Sequence, residues 1–316
     1  ASMTINYLFR NFAKERSILI DLPDRSRKFH ARPTPLVGGL GIFVSLLLSG
    51  KLYIDLNNLN GYMPDFTYQL IISSIPLLFI FIVDDVKGIR PSIRLVFQIF
   101  LTIYMIFSTD IYLKSLGDLF GFGNLDLGIF SIPVTVFCVV GIMNAFNMLD
   151  DLYGLCAGMT LQTLLVIFLI TTLHTPAYGF LIPIGAIIGF MLYNLGLIGK
   201  KRRVFLGDNG SNLMGFLAGW IAIYVSQGEN AIIEPVTALW FVAIPVLDCL
   251  SVMISRVING IMPFRPGRDH LHHILLDKGL SSNQILVSYI FASTFLCGFG
   301  LMIQEYFISE DYLSFL

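Results

Sequence analysis

Nine stretches of this chain are apolar over the length of a membrane helix: 36–54, 67–83, 93–111, 129–148, 155–173, 177–198, 211–227, 234–254 and 284–303. A bilayer core takes about 20 mostly apolar residues to cross. In hydrocarbon every backbone N–H and C=O must be satisfied from within, which for runs of this length means helix. Charged residues make up 13% of the chain and its mean hydropathy is +0.77, whereas soluble domains carry about 25% charge. The chain reads as an all-α polytopic membrane protein with about nine to ten transmembrane helices. Residues 1–35 read as an N-terminal interfacial segment and loop, and 36–316 as a multi-pass catalytic domain. Residues 4–20, with Arg10, Lys14, Glu15 and Arg16 among apolar residues, suit an amphipathic helix lying in the interface.

Alternating the spans puts the basic residues on one side. Lys and Arg number four in 21–35, three in 84–94, four in 199–210 and four in 255–283, against Lys51 and Lys114 opposite. That asymmetry predicts a cytoplasmic side holding Asp84. The tail after Ile303 is expected outside.

The polar clusters fall on the same side. Asp84 and Asp85 end an apolar run, where two adjacent carboxylates are costly unless they share a cation or a cationic partner. Pro35-Leu-Val-Gly38-Gly39 follows His30 and Arg32. Its glycines suit either a close backbone approach or a helix start that favours an anion. Asn144, Asn147 and Asp151 share a helical face, with Asp150 beside them. Gly207-Asp208-Asn-Gly-Ser211 offers a hard oxygen ligand for Mg²⁺ after a basic run, Lys200 to Arg203. The loop 255–283 holds Arg265, Arg268, Asp269, His270, His272 and His273. Zinc is a rival there, but no cysteine or second histidine pair accompanies these residues. Interleaved arginines suit a polyanion better. Asp248, inside a span, has no role assigned by the sequence. The four cysteines lack metal spacing and read as small buried hydrophobes.

A secondary transporter of anions is the competing class. Carriers place ionisable groups near the midplane, often in repeated halves. Here, Asp248 apart, the charges gather at helix ends on one face. Paired aspartates, a Gly-Asp loop and an Arg/His loop suit a Mg²⁺-bound pyrophosphate. The residues therefore point to Mg²⁺-dependent phosphoryl transfer from a soluble nucleotide donor to a membrane acceptor.

In this order, PLVGG at 35–39, DD at 84–85, NAFNMLD at 144–150, NLGLIGKKRRVFLGDNGS at 194–211 and PFRPGRDHLHH at 263–273 resemble the polyprenyl-phosphate N-acetylhexosamine-1-phosphate transferase family. The resemblance runs from about Phe9 to Tyr306 and is nearest to the bacterial branch that starts O-antigen and enterobacterial common antigen synthesis. It implies transfer of GlcNAc-1-phosphate, or another HexNAc-1-phosphate, from a UDP-sugar to undecaprenyl phosphate with release of UMP. It also implies Mg²⁺ or Mn²⁺, tunicamycin sensitivity, a homodimer, no nucleic acid partner, and an inner-membrane location with the site facing the cytoplasm. By this resemblance Asp84, Asp85 and Asp150 are catalytic and Asp208, Asp84 and Asp85 hold metal. Asn144, Asn147, Asp151, His30, Arg265, His270, His272 and His273 bind substrate. Three departures are expected to matter. Tyr153 stands where the family's Asp-Gly-x-Asp-Gly has its second aspartate. The family's leading helix is absent ahead of residue 4, and the C-terminal end stops short of a further helix found in some relatives.

Overall fold

A computed structural model describes residues 1–22, 32–57, 65–118, 123–174, 177–228, 231–263 and 267–314. His30 and Arg265 lie outside the described residues. The described helices are α1 (Ser2–Arg16), α2 (Gly38–Leu56), α3 (Asp65–Lys87), α4 (Pro91–Thr109), α5 (Ser131–Met148) and α6 (Leu155–His174). They continue with α7 (Leu181–Asn194), α8 (Gly207–Tyr224), α9 (Pro235–Phe241), α10 (Ala243–Ile258), α11 (Leu271–Asp277) and α12 (Ser282–Ser314). One short antiparallel pair, β1 (Ile20–Asp21) with β2 (Thr34–Pro35), ties the segment after α1 to the start of α2.

The protein is an all-α polytopic membrane protein. Large apolar side chains point outward around the bundle, among them Phe79, Phe107, Phe137, Leu173 and Phe291. In water such a surface would be a liability, and in lipid it is the expected exterior. Six described helices are long and apolar enough to cross a membrane, or seven if a bent pair counts as one span. Nine runs were expected, and the shortfall has physical causes. The run 177–198 folds as a shorter apolar helix, Tyr178–Asn194. The run 211–227 belongs to α8, whose first turns hold Asp208, Asn209, Ser211 and Asn212. The run 234–254 breaks into α9 and α10, which bend by 81°. Pro245 has no N–H to give the Phe241 carbonyl four residues earlier, so the ladder fails there. The Thr163 hydroxyl of α6 donates to that carbonyl instead at 2.8 Å, satisfying it inside an apolar setting. At the other end, α12 runs on to Ser314 as helix, where a tail was expected.

The post of the bundle is α8. From Asn209 to Ile223 its residues are buried, and Trp220 and Phe216 are completely enclosed. Ser211, Gly215 and Gly219 recur every four residues, so α8 has a face of small side chains where a neighbour packs closely. That neighbour is α5: a Cβ added at Gly215 would lie 2.6 Å from the Met143 Cα.

The structure chooses between the two readings of Gly38-Gly39. The Gly38 and Gly39 N–H groups donate to the Phe205 and Leu206 carbonyls at 2.9 and 3.1 Å. The first amides of α2 are thus taken by backbone, and the glycines serve a close approach rather than an anion. A Cβ at Gly39 would fall 2.3 Å from Gly210 Cα. Gly39→Ala is expected to destabilise the fold by at least about 2–3 kcal/mol, because backbone on both sides must move. Thermal unfolding in detergent measures it, and a variant as stable as the parent would contradict the contact.

Helix α1 packs against α2 and α7. Two of its polar residues turn inward: the Ser2 hydroxyl donates to the Ala186 carbonyl of α7 at 2.6 Å, and Asn6 is fully buried, while Lys14, Glu15 and Arg16 are exposed. Its outer face is Met3, Tyr7, Leu8 and Phe12. Ile5 and Ala13 are buried beside Ser2 and Asn6, and the apolar outer side suits a helix lying against lipid.

Candidate active site

Helices α3, α5 and α8 bring their polar ends together at one end of the bundle. Asp84 and Asp85 lie in the last turn of α3, inside the helix rather than in a loop. Residues 149–154 connect α5 to α6, and Asp208 opens α8. The resulting cleft has a volume of about 390 Å³, and its described lining includes Asp21, Asp84, Asp85, Asp150, Asp151 and Asp208. No lysine or arginine is among those described lining residues.

The two adjacent aspartates do different things. Asp85 accepts from the backbone N–H groups of Asp208 and Asn209 at 2.9 and 3.3 Å and from Asn209 Nδ2 at 2.6 Å. It satisfies amides that a helix start leaves without partners, and its charge suits the positive end of the α8 dipole. Asp84, buried, accepts from the Ile89 N–H at 2.6 Å and pairs with Arg94 Nη1 at 2.8 Å. The same guanidinium lies 3.2 Å from Asp208 Oδ2. Arg94 therefore links the carboxylate on α3 to the one that starts α8.

Asn147 Nδ2 donates to Asp208 Oδ1 at 3.0 Å and to the Ser211 hydroxyl at 2.8 Å. Asn144, one turn earlier, faces sideways: its Nδ2 donates to Gln98 Oε1, Gln98 Nε2 donates to Asn212 Oδ1, and Asn212 Nδ2 donates to the Asp208 carbonyl. The chain of amides braces Asp208 without Asn144 lining the cleft. Gln98 and Asn212 were not singled out in the sequence. Their signal was there: a glutamine one turn after Arg94 in an apolar helix, and a second asparagine just past Gly-Ser.

Asp150 takes a hydrogen bond from the Gly207 backbone N–H. Burial, followed by the carboxylates of Asp208, Asp151 and Asp85, pushes its carboxyl well above the usual range. A divalent cation among these groups would reverse that penalty, and the set is all oxygen, the donor type that suits Mg²⁺ or Mn²⁺. The residues fit such an ion. The sign for stability follows. A carboxyl whose folded value is raised favours the fold below its unfolded value, and that favour is lost as pH rises through the folded value. In chelator, the melting temperature is expected to fall as pH rises from about 4 towards neutrality. Added Mg²⁺ should restore it, and Asp150→Asn should flatten the slope. A parent curve flat in pH and indifferent to Mg²⁺ would refute this.

The histidine loop forms one wall. His270 Nδ1 lies 3.0 Å from Asp248 Oδ2, and the Leu271 N–H donates to Asp248 Oδ1 at 2.7 Å. Asp248, without a role in the sequence, thus holds the start of α11. Two turns on, Arg256 pairs bidentately with Asp269 at 2.8 and 2.5 Å and donates to the Pro263 carbonyl. His272 and His273 reach the α5–α6 turn, where His273 Nε2 lies 3.2 Å from Asp151 Oδ2 and His272 Nε2 3.9 Å. Burial drives His272 toward its neutral form.

Tyr153, also lining the cleft, has the Arg203 guanidinium 3.8 Å above its ring and Phe205 at 5.4 Å. An aspartate at 153 would meet that guanidinium as an ion pair; the tyrosine meets it through its π face. Asn194 fixes both backbones, accepting from the Gly154 N–H and donating to the Val204 carbonyl.

The glycosyl transferase family 4 profile matches residues 67–226, half of the chain and most of this cleft. The chain belongs to glycosyl transferase family 4. Its relatives include proteins named undecaprenyl-phosphate alpha-N-acetylglucosaminyl 1-phosphate transferase. That of Escherichia coli O157:H7 is 33% identical over 312 residues, covering 96% of this chain and 82% of the relative. That of Salmonella typhi is 34% identical over the same coverage. That of Yersinia pestis is 35% identical over 296 residues, 92% of this chain and 79% of the relative. The family resemblance read from the five motifs is met. Within family 4 the structure brings together Asp84, Asp85, Asn147, Asp150, Asp151 and Asp208 on one cleft. His272 and His273 join through Asp151, while His270 is held by Asp248.

Proposed function

We propose that the protein transfers a HexNAc-1-phosphate, GlcNAc-1-phosphate first among them, from a UDP-sugar to undecaprenyl phosphate. The products are UMP and a lipid pyrophosphate sugar. The observation that carries this reading is the gathering of five aspartates from α3, the α5–α6 turn and α8 in one cleft of a membrane bundle, in a chain whose relatives carry that activity in their names. The transporter reading loses its ground, because the relatives are named as transferases and the carboxylates sit together at one end of the bundle.

In the net reaction an oxygen of the acceptor phosphate bonds to the sugar-bearing phosphorus, and the bond from that phosphorus to the bridging oxygen of UMP breaks. A divalent cation held by Asp208, Asp85 and Asp150 would neutralise charge on the pyrophosphate and on departing UMP. Arg94 and Asp84 place a fixed cation and a carboxylate where the acceptor phosphate arrives. Just past Arg94, the outer face of α4 forms an apolar groove with Ile93, Val96, Phe97 and Phe100, which suits a prenyl chain lying in lipid. Asn147 and Asp151 line the donor side, with His272 and His273 behind Asp151. Asn144 and His270 act by holding those neighbours.

The basic asymmetry supports nine spans, counting the Tyr178–Asn194 helix, α8 and the bent pair as crossings, with the cleft on the cytoplasmic face of a bacterial inner membrane. In this reading residues 1–35 are the interfacial segment and 36–316 the catalytic domain. The resemblance also supports a homodimer. A panel of UDP-sugars offered with undecaprenyl phosphate, following UMP release with and without Mg²⁺, tests the function. UMP should appear only with a UDP-HexNAc, the lipid and a divalent cation together; turnover of donor without lipid, or none with any donor, would overturn it.

A further inference from the structure

We infer that Asp151, His272 and His273 form a second cation site, built for a borderline divalent ion such as Zn²⁺ and separate from the oxygen-donor set around Asp208. The three residues bring one carboxylate oxygen and two imidazole nitrogens within 4.8 Å of one another. They come from opposite sides of a junction: Asp151 from the α5–α6 turn, and the histidines from the first turn of α11.

Zinc sits about 2.0–2.1 Å from nitrogen and oxygen donors, so tetrahedral neighbours lie about 3.4 Å apart. The His273 Nε2 to Asp151 distance of 3.2 Å is already there, and that of His272 Nε2, 3.9 Å, needs a closure of about half an ångström. A second observation points to a ligand. His272 is completely buried, and neither of its ring nitrogens has a hydrogen-bond partner among the described residues. A buried imidazole without partners forfeits the hydrogen bonds that water would give it, and a bound ion would satisfy the Nε2 directly. Two imidazoles and one carboxylate form the donor set of zinc sites that keep an open fourth position. Asp151 lines the cleft and its side chain is 61% exposed, so that fourth position opens toward substrate space. The ion would also fasten α11 to the α5–α6 turn.

His270, with its Nδ1 3.0 Å from Asp248, is not one of the three residues whose donor atoms converge. The sequence alone argued against zinc, because neither a cysteine nor a second histidine pair accompanied the loop's histidines and their neighbours were arginines. The fold supplies a carboxylate ligand from a residue 121 positions earlier, Asp151 against His272.

The test uses Co²⁺ as the probe, added to the detergent-solubilised full chain after chelation, with Mg²⁺ in excess to fill the oxygen site. The parent should bind one Co²⁺ per chain and show the intense visible bands of a low-coordinate cobalt ion. Asp151→Asn, a change at an exposed side chain, should weaken binding at least tenfold, and His273→Ala should abolish the bands. Asp208→Asn should leave both unchanged. Absence of stoichiometric Co²⁺ in the parent would overturn the site. So would binding indifferent to Asp151→Asn and His273→Ala, or binding lost in Asp208→Asn, which would place the ion in the main aspartate set. None of these readouts requires transferase activity, so the site and the proposed function stand or fall separately.

Discussion

Asp208→Asn is expected to lower Mg²⁺-dependent UMP release on the order of 10³-fold, with the fold intact. The side chain keeps its size, and its remaining oxygen still accepts from Asn147 Nδ2. The helix start is held independently, by Asp85 on the backbone N–H groups of residues 208 and 209. What disappears is one negative charge at the point where α3, α4, α5 and α8 converge. In its place an amide stands where Arg94 Nη1 found a carboxylate oxygen at 3.2 Å. Removing one group aimed at developing charge typically lowers turnover by about 10²–10³, and here the same change also weakens the cation. Melting temperature should stay near the parent's while the Mg²⁺ dependence of UMP release is lost. Unchanged activity with unchanged Mg²⁺ dependence would remove Asp208 from the metal site.

How much of this was readable in the sequence divides by physical cause. The membrane class and the site carboxylates are local properties, of composition and of polar residues ending apolar runs, and both are seen in the structure. Asp84-Asp85, Asn147-to-Asp151 and Asp208 were visible because charge at the end of a membrane helix is expensive. Pairings were not visible. Nothing local says that Asp85 caps α8 from 123 positions away, or that Asp151 meets His273 across 122 positions. The break at Val242 had a local cause in Pro245 but needed Thr163 of α6 to make it tolerable, and a hydropathy window averages over both. Nor does any local pattern show that Ser2 and Asn6 of α1 are buried where they meet the Ala186 carbonyl of α7 and Gly41 of α2.

The two adjacent aspartates should respond unequally to neutralisation, with Asp85→Asn the larger loss of turnover. Successive residues on a helix project about 100° apart, and the structure shows what each direction meets. Around Asp85 are three N–H donors on Asp208 and Asn209. An asparagine there turns an NH₂ group toward at least one of them, leaving a donor without an acceptor at the start of the helix that carries Asp208. The penalty is about 1–3 kcal/mol for an unsatisfied buried donor, and it falls on the position of Asp208 itself. Around Asp84 are the Ile89 N–H and Arg94. An asparagine there still accepts from Ile89, and Arg94 retains Asp208 as its counter-ion. The loss at Asp84 is then confined to the acceptor side, about tenfold to a hundredfold, while Asp85→Asn approaches the Asp208 variant. Neither aspartate is among the hydrogen-bond partners of Asn147 or Asp151 on the donor side, so in chelator, without the cation that Asp85 would help to hold, both variants should bind UDP-HexNAc as the parent does. A group acting only in the transition state lowers turnover and leaves ground-state binding unchanged. Donor-binding calorimetry beside UMP release on both variants decides it. Affinity falling in step with activity in both would move the pair into the nucleotide-sugar site, and a larger loss at Asp84 would show that its pairing with Arg94 matters more than the cap on α8.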